Sequence, residues 1–377
     1  TDSINLFEGD SADVVDRLTH ILIGQNESTS YYADVQRAVL TRIVPLLLSL
    51  NTPVNLRDLY VVLSVENAGA ELLRITKKTV DPVSYSLAEQ WFSVKHAQRI
   101  KEIAGLLNRL FIFVNGAQTD RLNCYQPTIK IAQVVSENKT IFFHLPLTEY
   151  ARDLGIALVE MFAVEAKKRQ LAGTEHLPLF PIVMDDWGAF FYEGFGTFSA
   201  RCRSAAMPLS FAFQSMAQVK KVSQTFADEL DDNLATKIIY RIQGEDTGQF
   251  ALRLLGEYDT YNVSTSELGQ RDGTSISMGR KPRLELRALK ELAAGEAYVS
   301  TLLSTQSQHG NKITSPLYKV QFPLPPIKDW QQHPLPAVRL HTAGQGLGFW
   351  ERYMNPKVFE ALHAAANADA EQAAQIL

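Results

Sequence analysis

The run Leu179-Phe-Pro-Ile-Val-Met-Asp-Asp186 joins an apolar segment to two adjacent aspartates. A short apolar run bounded by polar turn residues is typical of a buried strand. Where such a strand ends in acidic residues, the pattern is that of a Walker B strand. The carboxylate of Asp185 would hold Mg²⁺ beside nucleotide phosphates, and that of Asp186 could polarise the attacking water. The alternative is an ordinary strand that ends in a polar turn.

Two later apolar runs also end in polar side chains. Residues 209–213 lead into Gln214, about 28 positions after the acids, and residues 236–240 lead into Arg241. A glutamine at such an edge can sense the γ-phosphate or orient water, and an arginine can bind phosphate through two parallel hydrogen bonds. As alternatives, Gln214 satisfies backbone groups of a loop, and Arg241 forms a structural salt bridge.

Short apolar runs alternate with helical stretches through the middle of the chain. Strands are predicted at 140–145, 179–184, 209–213, 237–240, 295–299 and 318–322, and helices at 150–171, around 200 and at 247–255. This alternation predicts an α/β fold with a mostly parallel sheet that is covered on both faces. The helical stretch around residue 200 contains Arg201 and Arg203, which are further candidates for phosphate binding.

The first third of the chain has helical periodicity. Predicted helices run through 14–22, 35–47, 56–63 and 86–114, with caps at Ser11 and Asn55 and a bend or restart at Pro45. We therefore predict a mainly all-α domain at 1–127, an α/β part at 128–328 and a C-terminal tail at 329–377. Within the tail, residues 350–354 form either a partner-binding patch or a small packed segment.

Composition narrows the function classes. The 377 residues are 46% hydrophobic and 21% charged, and the formal net charge of −4 excludes a protein that holds DNA by bulk positive charge. Cys124 and Cys202 form no CxxC pair, which predicts two free thiols in a reducing compartment. The histidines show no metal-ligand spacing, and the sequence shows neither a signal peptide nor an apolar run long enough for a membrane helix.

Taken in order, these motifs resemble the second half of the motor domain of type IV coupling proteins, the TraD/TraG-type ATPases of conjugation and type IV secretion. The resemblance extends over roughly residues 128–325 and rests on Asp185-Asp186, Arg203-Ser204, Phe213-Gln214-Ser215, the run 233–241 and Leu254-Leu-Gly256. The helical block before it resembles the all-α domain that this family inserts into its motor. The resemblance implies a RecA-like, P-loop NTPase-type fold for the α/β part.

The same resemblance implies a function and a site. The family forms hexameric rings at the cytoplasmic side of the bacterial inner membrane, where ATP with Mg²⁺ drives DNA–relaxase complexes or protein effectors into a secretion channel. Carried onto this chain, Asp185 would hold Mg²⁺, Asp186 would assist water attack, and Gln214 would sense the γ-phosphate. Arg203 or Arg241 would contact phosphate within or between subunits.

Three features depart from the family pattern. The sequence contains no GxxxxGKS/T motif, so it lacks the phosphate cradle that such enzymes place before a helix N-terminus. The usual Asp-Glu pair is Asp185-Asp186, and the family's N-terminal membrane helices are absent. We expect a fragment that begins downstream of the Walker A strand and is inactive by itself. A degenerate, nucleotide-independent member is the rival explanation.

Two other functions are compatible with the sequence. The chain could be a substrate-recognition adaptor whose all-α block binds cargo and whose α/β part is a scaffold without hydrolysis. It could also be a ring translocase of the FtsK/HerA type, which moves duplex DNA without a secretion partner. In each case the negative charge predicts weak, salt-sensitive DNA binding by this chain.

Overall fold

The chain forms two compact units in the computed structural model. The first, here called the helical unit, comprises Thr1–Ile182, Arg201–Ser210 and His333–Leu377, and the second, the strand unit, comprises Val183–Ala200 and Phe211–Gln332. The structure describes residues 2–23, 31–50, 52–115, 119–145, 149–173, 177–268, 271–301, 303–307, 310–314, 317–323 and 348–354. The three-part division at 127 and 328 stays a prediction.

Helices build the first part of the chain, as predicted. They are α1 (Ser11–Leu22), α2 (Tyr31–Leu48), α3 (Leu56–Ser64), α4 (Glu66–Thr76), α5 (Pro82–Ser93), α6 (His96–Glu102), α7 (Ala104–Val114), α8 (Ile131–Ser136) and α9 (Glu149–Ala172). A 3₁₀ turn spans Thr119–Arg121. The predicted cap at Asn55 is confirmed, because its side chain and that of Asp58 form a reciprocal capping box at the start of α3.

Three details of these helices differ from the sequence expectation. Asp10, one residue before Ser11, caps α1 by accepting from the Asp13 N–H group. Helix α2 continues through Pro45, and Leu46 and Leu47 beyond it are fully buried, so their packing offsets the lost hydrogen bond. The helix predicted at 86–114 is divided into α5, α6 and α7, which lets short segments turn their apolar sides toward one core.

Helix α1 illustrates how the core of the helical unit is closed. Its residues Val14, Leu18 and Ile21 have no exposed surface, and the helix packs against α2 and α9. Between these apolar positions lies Arg17, which is 1% exposed and donates hydrogen bonds to the carbonyl oxygens of Leu6 and Glu8. Burial lowers the pKa of this arginine to about 10, against the opposing charges of neighbouring acids.

The strands form several small sheets. β1 (Ile182–Met184) pairs with β2 (Leu209–Phe211), and the pattern from the Ile182 N–H to the Pro208 oxygen and from the Ala212 N–H to the Met184 oxygen is that of a parallel pair. A second, antiparallel sheet has the order β3 (Thr236–Ile239), β6 (Glu296–Thr301), β9 (Leu317–Gln321). Two hairpins complete the strands: β4 (Glu257–Leu268) with β5 (Arg271–Pro282), and β7 (Leu303–Ser307) with β8 (Gly310–Thr314).

The later helices accompany these strands. They are α10 (Gly194–Ser204), α11 (Met216–Lys220), α12 (Gln224–Asn233), α13 (Glu245–Leu255), α14 (Leu286–Lys290) and α15 (Phe349–Met354), and a 3₁₀ turn spans Trp187–Phe190. In the strand unit, Ala251 and Leu252 of α13 pack with Leu289 of α14 in a small buried cluster. Among the described residues, no helix is both long enough and apolar enough to cross a bilayer.

The sheet prediction needs three corrections. Residues 140–145 form no strand, and Phe142 is 86% exposed, because no described strand pairs with this segment. The sheets are mixed rather than mostly parallel, since β3 pairs antiparallel with β6. Cover on both faces is also wrong for this chain, because Val183 is 79% exposed and Ile238 is 50% exposed. The two hairpins had no predicted counterpart; residues 257–282 are mostly polar and contain no continuous apolar run.

Candidate functional site

The candidate site begins where β1 ends. Ile182 and Met184 are buried, and the exposed Asp185 follows directly. Asp186 has a left-handed backbone, with φ 48° and ψ 40°, and its N–H donates to the Asp185 carboxylate at 2.9 Å. Aspartate is among the few side chains that adopt this conformation readily. The strand therefore ends in a turn at the acid pair, and the Asp185 carboxylate is hydrogen-bonded within that turn.

Gln214 reaches this turn from the end of the neighbouring strand. Its amide Nε2 donates to Asp186 Oδ1 at 3.1 Å, across 28 positions of sequence. The backbone holds the two ends together, because Ala212 N–H donates to the Met184 oxygen at 2.9 Å and Trp187 N–H donates to the Ala212 oxygen at 2.7 Å. The structure thus brings together Asp185, Asp186 and Gln214, and their catalytic roles stay predictions.

Gln218 belongs to this site, although the sequence motifs did not predict it. Its Oε1 accepts from the Gln214 N–H at 3.0 Å and from the Ser215 N–H at 3.2 Å, and Ser215 and Gln218 form a capping box at the start of α11. Gly188 makes room for this amide, since a Cβ there would lie 2.2 Å from Gln218 Oε1. The Ser-x-x-Gln spacing is a known helix-start pattern and would have identified Gln218 from sequence.

A cluster of aromatic rings lies beneath the turn. Phe191 is at its centre, 2% exposed, with ring-centroid distances of 5.4 to 5.8 Å to its neighbours. These neighbours are Phe195, Phe211, Phe213 and Phe226. Rings packed edge to face gain energy beyond their buried area. The cluster therefore fixes β2 and α12 against the segment that carries the two acids.

The arginines predicted for this site lie on other elements. Arg241 is exposed in the segment after β3, which belongs to the antiparallel sheet and not to the β1–β2 pair. Arg203 is exposed in the last turn of α10, and Arg201 is partly exposed in the same helix. Both belong to the helical unit. The described geometry places neither Arg203 nor Arg241 in the hydrogen-bonded group formed by Asp186, Gln214 and Gln218.

The chemistry of the site suits a weakly held, hydrated cation. Among the described residues there is no group of three or more His, Cys, Asp or Glu side chains that could hold a metal ion. Mg²⁺ is commonly bound through one or two carboxylates, with water and phosphate oxygens as its other ligands. The exposed carboxylate of Asp185 fits that role. The sequence, however, has no glycine-rich cradle for the phosphates.

The two cysteines take no part in this chemistry. Both are buried and free, which confirms the prediction of two unpaired thiols. Burial raises the pKa of Cys202 on α10 to about 12. A thiol in that environment stays protonated at neutral pH and does not act as a nucleophile.

Comparison with known proteins finds similarity over part of the chain. Residues 183–294, which include the acid pair, Gln214 and the β4–β5 hairpin, match the family model described as the TraM recognition site of TraD and TraG. The type 4 coupling protein DotL of Legionella pneumophila is 26% identical over 125 residues. That match covers 31% of this chain and 16% of DotL, so it spans about a sixth of that relative's length.

A solved structure extends the similarity to most of the chain. The bacterial conjugative coupling protein TrwBΔN70, in its unbound monoclinic form, matches with a TM-score of 0.57 and 13% identity, over 88% of this chain and 73% of that one. At this identity the match shows a shared fold of mixed helices and strands. With the family-model match and the similarity to DotL, it shows that this chain is similar to type IV coupling proteins.

Proposed function

We propose that this chain is part of a coupling ATPase that recruits DNA–relaxase complexes or protein effectors and delivers them to a secretion channel. The hydrogen bond between Gln214 and Asp186 at 3.1 Å carries the proposal, because it joins an acid and an amide at the ends of two adjacent parallel strands. This is the edge at which open α/β sheets bind nucleotides. A RecA-like core is the proposed scaffold for that edge, and the fold match to TrwBΔN70 supports it.

On this proposal, each residue of the turn has one task. Asp185 is exposed to solvent and would hold the hydrated Mg²⁺ of the nucleotide. Asp186 and Gln214 orient a water molecule, and Gln218 holds the Gln214 backbone in place. When bound, Mg²⁺–ATP would supply the phosphoryl group and the charge neutralisation, and a phosphate-binding loop that this sequence does not contain would have to complete the site. Arg203 or Arg241 would contact phosphate within or between subunits of a homo-hexamer.

The test uses the full protein that contains this chain. We expect Asp185→Ala to lower the rate of ATP hydrolysis by at least ~100-fold, because losing a group that stabilises developing charge costs that much. Substrate transfer between cells should fall in parallel. Asp232→Asn, an exposed aspartate on α12, is the matched control and should leave both measurements unchanged.

The same experiment separates the alternative adaptor function. The missing GxxxxGKS/T motif favours an adaptor, because without a phosphate cradle the Asp185 carboxylate has no nucleotide to serve. An adaptor predicts no ATP hydrolysis by either the wild-type or the Asp185→Ala protein, with transfer unaffected by the substitution. That combination would refute the ATPase proposal and leave cargo binding as the function.

The matched region also suggests a partner. Because residues 183–294 match a TraM recognition site, we expect the strand unit to dock a protein of the TraM kind near its substrate. Channel components would contact the assembled ring at the cytoplasmic side of the inner membrane. Binding of DNA by this chain should be weak and salt-sensitive at a net charge of −4, and nanomolar binding at physiological salt would contradict this.

A further inference from the structure

Helix α15 is held on the surface of the helical unit by contacts that resemble those of a bound peptide. Phe349 is 1% exposed, and the N–H of Trp350 donates to Asp58 Oδ1 at 3.0 Å. The Arg57 guanidinium lies 5.3 Å from the centre of the Trp350 ring, and the Tyr60 ring lies 6.3 Å from it. Trp350 of this six-residue helix therefore contacts two side chains of α3, Arg57 and Tyr60.

Charge complementarity adds a second anchor. The carboxylate of Glu71 on α4 accepts from Arg352 and, at 2.6 Å, from the hydroxyl of Tyr353. The Arg352 guanidinium also lies 4.6 Å from the centre of the Phe349 ring. Hydrogen bonds of charged groups in such partly buried places are stronger than neutral ones. Residues 349–354 thus present aromatic and basic groups to an apolar surface that carries two acids, Asp58 and Glu71.

The residues that receive α15 also form hydrogen bonds with one another. Asp58 accepts from the Asn55 N–H at 3.1 Å and from the Tyr125 hydroxyl at 3.0 Å. Asn55 in turn donates to the carbonyl oxygen of Asn123 at 2.8 Å. These bonds join α3 to the segment around residue 125 without any atom of α15. A site that is already formed loses less conformational entropy when its ligand binds. Such preorganisation is typical of a recognition site.

The segment itself cannot be a stable helix in isolation. Helices shorter than about 12 residues are marginal in water, so α15 becomes ordered only through its contacts with α3 and α4. Its approach is also close: a Cβ at Gly348 would lie 1.9 Å from the Tyr125 hydroxyl oxygen and 2.7 Å from Asp58 Oδ1. Both of those groups are buried and hydrogen-bonded, so the collision could not be relieved cheaply.

We propose that α3 and α4 form a binding site for a short aromatic–basic helix, and that residues 348–354 of the same chain are its intramolecular ligand. The tethered segment keeps the site closed at a high local concentration, and release of the segment opens the site to the same pattern presented by another molecule. The site is independent of the Asp185 edge and does not rest on the proposed ATPase function.

The variant Gly348→Ala opens the site without altering its surface. In the full chain, a fluorescent peptide with the sequence of residues 346–356 should bind Gly348→Ala at least ~10-fold more tightly than wild type, because the wild-type site is already filled. Adding Glu71→Gln to the Gly348→Ala chain should weaken that binding by at least ~10-fold. Equal binding to wild-type and variant chains, or unchanged binding with Glu71→Gln, would overturn the proposal.

A charge exchange tests the same site in a chain that keeps its glycine. Glu71→Arg should remove the hydrogen-exchange protection of residues 349–354, and Glu71→Arg with Arg352→Glu should restore it. Failure of the double variant to restore protection would refute the specific pairing. Sedimentation of the wild-type chain decides between ligands, because a concentration-dependent dimer that Gly348→Ala abolishes would show docking on a second copy and overturn the intramolecular assignment.

Discussion

The helical unit and the strand unit close their hydrophobic cores in different ways. In the helical unit, Val14, Leu18 and Leu40 have no exposed surface, and even Arg17 is 1% exposed, with one guanidinium nitrogen donating to two carbonyl oxygens. In the strand unit, Val183 is 79% exposed and Ile238 is 50% exposed, although both lie within strands. A helix satisfies its own backbone, whereas a strand needs neighbours at its edges and on its faces. The helical-unit residues named here are therefore enclosed, whereas these two strand positions leave apolar side chains exposed to solvent.

The largest effect should come from the aromatic cluster, where the strand unit is as closed as the helical unit. Replacing Phe191 with Ala removes the ring that touches four others, and we expect a loss of ~3–5 kcal/mol in the free energy of unfolding. Urea unfolding measures it. Tyr261→Ala, at a ring that is 68% exposed, is the control and should stay within about 0.5 kcal/mol. Equal losses in the two variants would show that the cluster is not the core of this unit.

The buried arginine tests the helical unit in the same way. Arg17→Met keeps most of the side-chain volume but leaves the carbonyl oxygens of Leu6 and Glu8 without their donor, so we expect a loss of ~3 kcal/mol on urea unfolding. The exposed Arg74→Met on α4 should change stability by less than about 0.5 kcal/mol. If Arg17→Met left the free energy of unfolding unchanged, apolar packing without these hydrogen bonds would be sufficient to stabilise this core.

A smaller effect is expected at the acid-bearing turn. Gly188→Ala places a methyl group against the Gln218 amide and should displace it from the Gln214 and Ser215 N–H groups. We expect a loss of about 1 kcal/mol. The backbone amide resonances of Gln214 and Ser215 in an NMR spectrum should shift. Ala189→Ser, at an exposed neighbouring position, should leave those resonances in place, and an unshifted Gly188→Ala spectrum would refute the supporting role of Gln218.

The smallest effect concerns pH and lies in the helical unit. Burial lowers the pKa of His20 on α1, but the hydrogen bond and charge of Glu160 on α9 raise it more, so the net shift is upward. The protonated form therefore adds stability that is complete below pH ~6.5 and is lost as pH rises through the folded-state pKa. Unfolding free energy should decline from pH 6 toward pH 8, and His20→Gln should flatten that part of the profile. If His20→Gln left the pH dependence of the unfolding free energy unchanged, the His20–Glu160 pair would not be its cause.

Patterns that depend on neighbouring residues in sequence were predicted well. The helices α1, α9 and α13, the cap at Asn55, and strands near residues 182 and 209 follow from periodicity and local hydrogen bonding. The proximity of Gln214 to the acids followed from one rule, that parallel strands end at a common edge. Gln218 escaped notice although its capping-box spacing is visible in the sequence.

Local sequence patterns did not predict which distant strands pair with each other. An apolar run predicts a strand but not its partner, and in the antiparallel order β3-β6-β9 the paired strands β3 and β6 are about 60 residues apart. The run at 140–145 has strand composition without a described partner and stays irregular. The polar β4–β5 hairpin forms through backbone hydrogen bonds, which do not depend on apolar alternation.

Three features could be predicted from the sequence without the structure. They are the helical first part, the acid pair at the end of β1, and the motif order that resembles type IV coupling proteins. Those features are local, since caps, periodicity and strand ends involve residues close in the chain. Tertiary structure alone decided that the sheets are mixed, that Gly188 must leave room for Gln218, and that α15 returns to α3 and α4. Each of these depends on contacts between residues far apart in sequence, where packing and hydrogen-bond geometry select one partner among many.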